Sequence, residues 1–311
     1  MAWVSFCIST YMRPQFLRKQ IESLLKQTFS DFEIVVSDND PNASAMEVVS
    51  SFNDDRIKYY NNTENLGMIK SFNKSIDRSS SEYIVMVTDD DPIENTFLSS
   101  VFNLYQSYPG YSLYGGFKRK HKSYLNVEIV KRENFIMEIL DNNKTTNLLW
   151  SSCMIEKASA LKIGKIPDYG SPHLADHVLL ALVGNEKGGI IINKMFSTLT
   201  SHDSNFSKTN FDYYYIACVG FYKMMTNQVT MPLNEQGLKN IILTHLEHWF
   251  ISNIFNLKRY YSVKNIDKNK IELINGVAHK IMSLHFMRKI RFRYFIKQVF
   301  FKSKLVLKIV K

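Results

Sequence analysis

Cysteine is scarce in this chain of 311 residues: Cys7, Cys153 and Cys218 stand far apart and odd in number. Such spacing argues against a disulfide framework or a thiolate zinc cluster, and reduced thiols in a cytoplasmic protein are expected. Long apolar runs are missing too. The longest uncharged one, near Tyr213 to Tyr222, is about half of the ~20 residues a membrane span requires. The first residues, Met-Ala-Trp-Val-Ser-Phe-Cys, run straight into a strand pattern, so no signal peptide is expected. Internal repeats and low-complexity linkers are absent. With 45% hydrophobic and 13% aromatic residues the chain can fill a core, which excludes disorder. Its length suits one large domain, or a domain with an appended subdomain.

Acid is lacking where base is plentiful. Residues 280–311 hold ten Lys or Arg and no Asp or Glu, and ten is also the formal net charge of the whole chain. Residues 1–279 therefore balance at zero. A neutral body with a basic tail fits that distribution better than a uniformly basic nucleic-acid binder.

The first third alternates strand and helix patterns. Val4–Ser9 reads as a buried strand, and Pro14 suits the first turn of a helix carrying Leu17, Ile21, Leu24 and Leu25. Phe32–Ser37 and Arg56–Tyr60 read as strands, Met46–Phe52 and Met68–Ile76 as helices, and Ile84–Val87 as a further strand. This rhythm predicts an α/β fold with a mostly parallel sheet and helices on both faces. Beyond residue 97, helices are expected at Leu98–Tyr105, Phe135–Leu140 and His177–Val183, and strands at Tyr111–Phe117, Leu148–Ile155 and Gly188–Ile192. From Phe211 on, helical spacings dominate.

Residues 83–93, Tyr-Ile-Val-Met-Val-Thr-Asp-Asp-Asp-Pro-Ile, carry the most chemistry. Three adjacent carboxylates repel one another unless a cation or hydrogen-bond donors meet them. Ligands of open α/β sheets bind at the carboxyl ends of strands, and aspartates there are the hard oxygen ligands Mg²⁺ or Mn²⁺ prefers. An acidic surface turn is the bland alternative.

Four segments in order, Ser9-Thr10-Tyr11-Met12-Arg13-Pro14, Val35-Val36-Ser37-Asp38-Asn39, Asn65-Leu66-Gly67 and Thr88-Asp89-Asp90-Asp91, resemble the family-2 nucleotide-sugar glycosyltransferases. The resemblance covers roughly residues 2–205. It implies a GT-A fold, a divalent metal (Mn²⁺ or Mg²⁺), and inverting transfer of one hexosyl or N-acetylhexosaminyl group from a nucleoside diphosphate sugar, UDP-sugars favoured. By the same resemblance, Thr10, Tyr11, Arg13, Asp38, Asn65, Asp89 and Asp90 bind the nucleotide. Asp38 would accept the base N3–H, although Asn39-Asp40-Pro41 replaces the usual acidic-Gly-Ser continuation. Asp91 is favoured as the metal ligand, with Asp90 ambiguous because three aspartates permit two registers. His202, in Thr200-Ser201-His202-Asp203-Ser204-Asn205, would complete the metal's coordination. Asp176, in Asp176-His177-Val178-Leu179-Leu180, matches the general base that opens a helix, with Asp168 as its rival. The Gln-x-x-Arg-Trp segment and membrane spans of processive members are absent, which favours single addition.

The implied organisation is a catalytic domain over 1–207, comprising a nucleotide half (1–97) and an acceptor half (98–207), followed by a helical region over 208–311. On a helical wheel Lys289, Arg293, Lys297, Lys304, Lys308 and Lys311 form one stripe, with Phe292, Phe295, Val299, Val306 and Val310 opposite. A basic amphipathic helix reads as membrane-surface binding, with a helix packed on the body as the alternative. The expected function is sugar transfer to a glycan, lipid-linked as in O-antigen or capsule repeats, by a peripheral enzyme on the inner face of the plasma membrane. A non-catalytic glycan- or membrane-binding protein of this fold is one alternative. A nucleotidyltransferase is another, but it would want glycine in the loop after the first strand, where Thr10–Pro14 has none.

Overall fold

The computed structural model describes residues 2–200, 203, 205–228, 235–264 and 266–309. They form two compact units, one of residues 1–168 and 174–201, the other of 169–173 and 202–311.

The first unit is built on β1 (Val4–Thr10), α1 (Pro14–Leu25), β2 (Phe32–Asp38), α2 (Met46–Ser50), β3 (Ile57–Asn61), α3 (Met68–Arg78) and β4 (Tyr83–Val87). Strand alternation explains how β1 is covered on both faces. Val4, Phe6 and Ile8 join Leu17, Ile21 and Leu24 of α1 in the core. The intervening residues meet α3, where the Cys7 thiol donates to the Ser75 carbonyl at 3.6 Å and Ser9 Oγ to Ser71 Oγ at 2.7 Å. Burial pushes the Cys7 thiol up to about 12, so it is inert.

The chain continues through α4 (Phe97–Ser107), β5 (Leu113–Gly116), β6 (Lys118–Arg119), β7 (Val127–Val130), α5 (Arg132–Leu140), β8 (Thr145–Thr146), β9 (Cys153–Glu156), α6 (Lys157–Lys162), α7 (Ala175–Lys187) and β10 (Gly189–Ile192). Eight strands form one sheet in the order β3-β2-β1-β4-β9-β5-β10-β7, and β6 pairs with β8. The strands from β3 to β4 run parallel. β9 then enters antiparallel between β4 and β5. The strand expected at Leu148–Ile155 is shorter than its apolar pattern suggests, because Trp150–Ser152 coils into a 3₁₀ turn before β9.

The second unit is helical: α8 (Asp212–Gln228), α9 (Glu235–Arg259), a π-helical turn at Tyr260–Lys264, α10 (Lys268–Ser283) and α11 (Ile290–Ile309). Asp267 caps α10, accepting from the Lys270 N–H at 3.0 Å. Phe221, Ile242, Leu246, Phe250, Ile281 and Ile290 are buried within it. Among the described residues no helix is long and apolar enough to cross a membrane.

Candidate active site

Register decides which residues meet at the carboxyl edge of the sheet. Thr10 lies opposite Asp38, Asp38 opposite Asn61, and Ile8 opposite Val87. Two residues beyond the last pair, Thr10 therefore reaches Asp89, and its Oγ1 donates to Asp89 Oδ2 at 2.9 Å.

The three aspartates have different surroundings. Arg13, one residue before α1, places Nη1 2.9 Å from Asp89 Oδ1 and Nη2 2.6 Å from Asp90 Oδ2, and its guanidinium lies over the Phe16 ring. Asp91 is held differently: Thr88 Oγ1 donates to Oδ2 at 2.9 Å, and the Thr200 backbone N–H donates to Oδ1 at 2.7 Å. Burial pushes Asp89 up to about 6, against the pull of Arg13, and raises Asp91 as well. Among the described residues no three such side chains converge as a ready metal-binding group, but the set is all oxygen, largely buried, and its negative charge only partly meets donors. Its chemistry fits a hard divalent cation, with Asp91 the member least engaged by Arg13.

The turn leading to Arg13 is unusual. Met12 has φ +53°, the left-handed region that non-glycine residues rarely adopt. Tyr11 is 44% exposed and Met12 63%, so the turn between Thr10 and Arg13 leaves two large side chains in solvent. Such outliers concentrate at functional sites.

Asp38 is engaged by its own loop. It is fully buried. Its Oδ1 accepts from the Asp40 N–H at 3.1 Å, and its Oδ2 from the Ala45 N–H and the Tyr59 hydroxyl, both at 2.9 Å. The carboxylate thus closes its own loop. Asn65 is exposed and organises the entry to α3. Its Oδ1 accepts from Asn39 Nδ2 at 2.7 Å and from the Gly67 N–H at 2.9 Å.

Asp176 sits in the first turn of α7, after Leu174, which has φ +64° and makes no side-chain cap. It is therefore inside the helix rather than at its cap. Burial pushes its carboxyl up to about 7, against backbone donors that include the His177 N–H. Its side chain nevertheless remains 27% exposed. Neighbouring His177 is driven down to about 4 by burial and is neutral at physiological pH. Asp168 is exposed, near the end of the first unit's opening segment.

The structure thus gathers Thr10, Arg13, Asp89, Asp90 and Asp91 into one cluster, with Tyr11 at its edge. Asp176 stands apart on α7, and His202 lies outside the described residues. Two residues absent from the expected set hold Asp91 in place. Thr88 could have been suspected from its position directly before the triplet. Thr200 could not, since a backbone donor 109 residues away leaves no trace in a local pattern.

The Glycosyl transferase family 2 profile matches residues 5–163. A GalNAc(5)-diNAcBac-PP-undecaprenol beta-1,3-glucosyltransferase of Campylobacter jejuni is 34% identical over 101 residues, 32% of this chain and 33% of that enzyme. The aligned part is thus about a third of that relative's length. Among solved structures, Staphylococcus aureus TarS 1-349 in complex with UDP-GlcNAc is similar with a TM-score of 0.62 at 14% identity, covering 94% of this chain and 91% of that one. The mannosyltransferase PcManGT of Pyrobaculum calidifontis, in complex with GDP-Man and Mn²⁺, is similar with a TM-score of 0.54 at 12% identity, covering 99% and 86% respectively. These likenesses show the GT-A fold. With strand order, acidic strand end and sequence profile in agreement, the chain belongs to glycosyl transferase family 2.

Proposed function

We propose that the chain is an inverting glycosyltransferase that moves one hexosyl or N-acetylhexosaminyl group from a nucleoside diphosphate sugar, a UDP-sugar favoured, to a lipid-linked glycan. The observation that carries this reading is the buried carboxylate cluster at the end of β4, held by Thr10, Arg13, Thr88 and the Thr200 N–H.

In this reading Asp91, with Asp89 or Asp90, holds Mg²⁺ or Mn²⁺, and Tyr11 offers a face to the nucleobase. A divalent ion bound there would offset the charge of the departing diphosphate. Thr10 and Arg13 set the position of Asp89, and Arg13 is placed to meet phosphate oxygens. Asp176, with a carboxyl near 7, takes the proton of the acceptor hydroxyl as that oxygen attacks the anomeric carbon. The bond to the diphosphate breaks with its electron pair leaving on the phosphate oxygen, and one displacement inverts the centre.

The undecaprenol-linked acceptor in the name of the Campylobacter relative supports a lipid-linked acceptor for this chain, of the O-antigen or capsule type. Residues 280–311, with ten basic side chains and no acid, support an anionic membrane surface as the place of work. Calorimetry with UDP, with and without Mn²⁺, tests the reading: nucleotide binding should be tightened by the metal. Metal-independent binding, or none, overturns it. A screen of nucleotide sugars for donor hydrolysis then identifies the sugar.

A further inference from the structure

Among its described residues helix α11 has two apolar faces, one packed within the unit and the other largely exposed. On the covered side, Ile290 is fully buried and the Tyr294 ring lies 6.0 Å from Phe250 and 5.3 Å from Phe255. Phe301 meets Phe255 edge-on at 5.6 Å. The buried Lys258 of α9 donates to the Tyr294 hydroxyl at 2.6 Å and to Gln298 Oε1 at 2.8 Å. These contacts account for the packing of the helix.

The other side carries Phe292, Phe295, Ile296, Val299 and Phe300, which are 71%, 64%, 39%, 51% and 62% exposed. At 100° per residue these five fall on one arc, opposite Ile290, Tyr294 and Phe301. The three phenylalanines alone leave on the order of 400 Å² of apolar surface in water, the size of patch that marks an interaction site. Arg291 and Arg293 lie on the two edges of the arc and are exposed, the former donating to the Met282 carbonyl at 3.0 Å and the latter paired with Glu247 at 3.3 Å. Exposed Arg288 and Lys289 precede the helix.

We infer that α11 is an interfacial anchor: it lies in the plane of an anionic bilayer with Phe292, Phe295, Ile296, Val299 and Phe300 in the acyl boundary and the flanking arginines among the headgroups. This deepens the functional reading, which supplies the membrane, by assigning the mode of contact. Charge decides the occupant. A second copy would bring another set of the same cations against this one, whereas anionic headgroups meet them with opposite charge. Apolar insertion and edge arginines act together, since either alone gives weak, reversible attachment.

Flotation of the full chain with vesicles of phosphatidylcholine, with and without phosphatidylglycerol, tests the inference. The wild type should float with the anionic vesicles. The triple variant Phe292→Ser, Phe295→Ser, Val299→Ser should bind at least about 100-fold more weakly, because most of the transfer free energy of two rings and a valine is lost. Its melting temperature and helical circular dichroism should be little changed, since these three side chains are mostly exposed. In a Phe295→Trp variant, emission should shift to the blue on anionic vesicles and be quenched by bromine placed near the top of the acyl chains. Undiminished binding by the triple variant would reduce the contact to electrostatics and overturn the inference. So would failure of the wild type to float, or a dimer in sedimentation that the triple variant dissolves. Donor hydrolysis measured without lipid reports separately on the functional reading, because none of these residues belongs to the carboxylate cluster.

Discussion

Replacing Asp176 by asparagine separates what this carboxylate does for chemistry from what it costs the fold. Burial raises its carboxyl from 3.8 to about 7, roughly three units at about 1.4 kcal/mol each, or ~4 kcal/mol for a fully shielded group. Because the side chain keeps 27% of its exposure, solvent screening reduces that to a working figure of ~2 kcal/mol. The folded state holds this proton more tightly than the unfolded chain. Stability from this group is therefore greatest below about pH 4, is lost as pH rises, and the penalty is complete above about pH 7. Asparagine cannot ionise. Asp176→Asn should thus be ~2 kcal/mol more stable than the wild type at about pH 8, with no difference near pH 4. That corresponds to roughly 4–8 °C in Tm for a unit of this size. In the same variant kcat should fall at least ~10²-fold with donor binding little changed. The wild-type rate should rise with pH through about 7. Scanning calorimetry across pH, alongside a donor–acceptor transfer assay, measures both effects. A variant less stable at high pH would show that the carboxylate is a structural partner of the first turn, and a pH-independent gain would refute ionisation as the cause. Survival of activity in Asp176→Asn with its loss in Asp168→Asn would move the base to Asp168.

Three further outcomes are expected. Asp91→Asn keeps an acceptor oxygen for Thr88 or the Thr200 N–H, so it should fold normally and lose Mn²⁺-coupled UDP binding in calorimetry; retained coupling would transfer the ligand role to Asp89 and Asp90. Arg13→Gln leaves two nearly buried carboxylates facing each other without their cation and should cost about 3 kcal/mol. Added Mn²⁺ should recover part of that loss in thermal melts, and a melt that neither falls nor responds to the ion would contradict the electrostatic account. Asp38→Ala removes the acceptor for two backbone N–H groups and the Tyr59 hydroxyl and should lower stability by about 3 kcal/mol. UDP affinity, measured well below the transition, should be largely preserved if the role is confined to the loop, and a selective loss of affinity would show that Asp38 also meets the base.

The parts legible in the sequence are those whose physics is local. β1, β2 and β4 could be read because parallel strands buried on both faces are mostly apolar runs bounded by turn residues, and α1 because Pro14 marks its first turn. β7 escaped notice because it is a short edge strand with Glu128 in its middle and only Val130 buried. The antiparallel entry of β9 is a property of long-range pairing, and no periodicity encodes it. Asp38 shows a different limit: an aspartate at a strand end has the same local pattern whether it meets a ligand or closes its own loop. Of the apolar side of the α11 wheel, Phe292, Phe295 and Val299 are exposed, while Val306 and Val310 lie outside the described side chains. Which side packs was decided by Lys258, Phe250 and Phe255 on another helix.

The hydrogen bond from the Thr200 N–H to Asp91 has a consequence for the order in which this molecule comes into being. The family's most recognisable residues are all synthesised early, and strands β1 to β4 can pair as soon as they emerge. Yet Asp91 is not fixed until a segment 109 residues further along has returned to the sheet, a closure of high sequence separation that folds late. A nascent chain ending before that segment would display the whole acidic motif while leaving it mechanically unfinished.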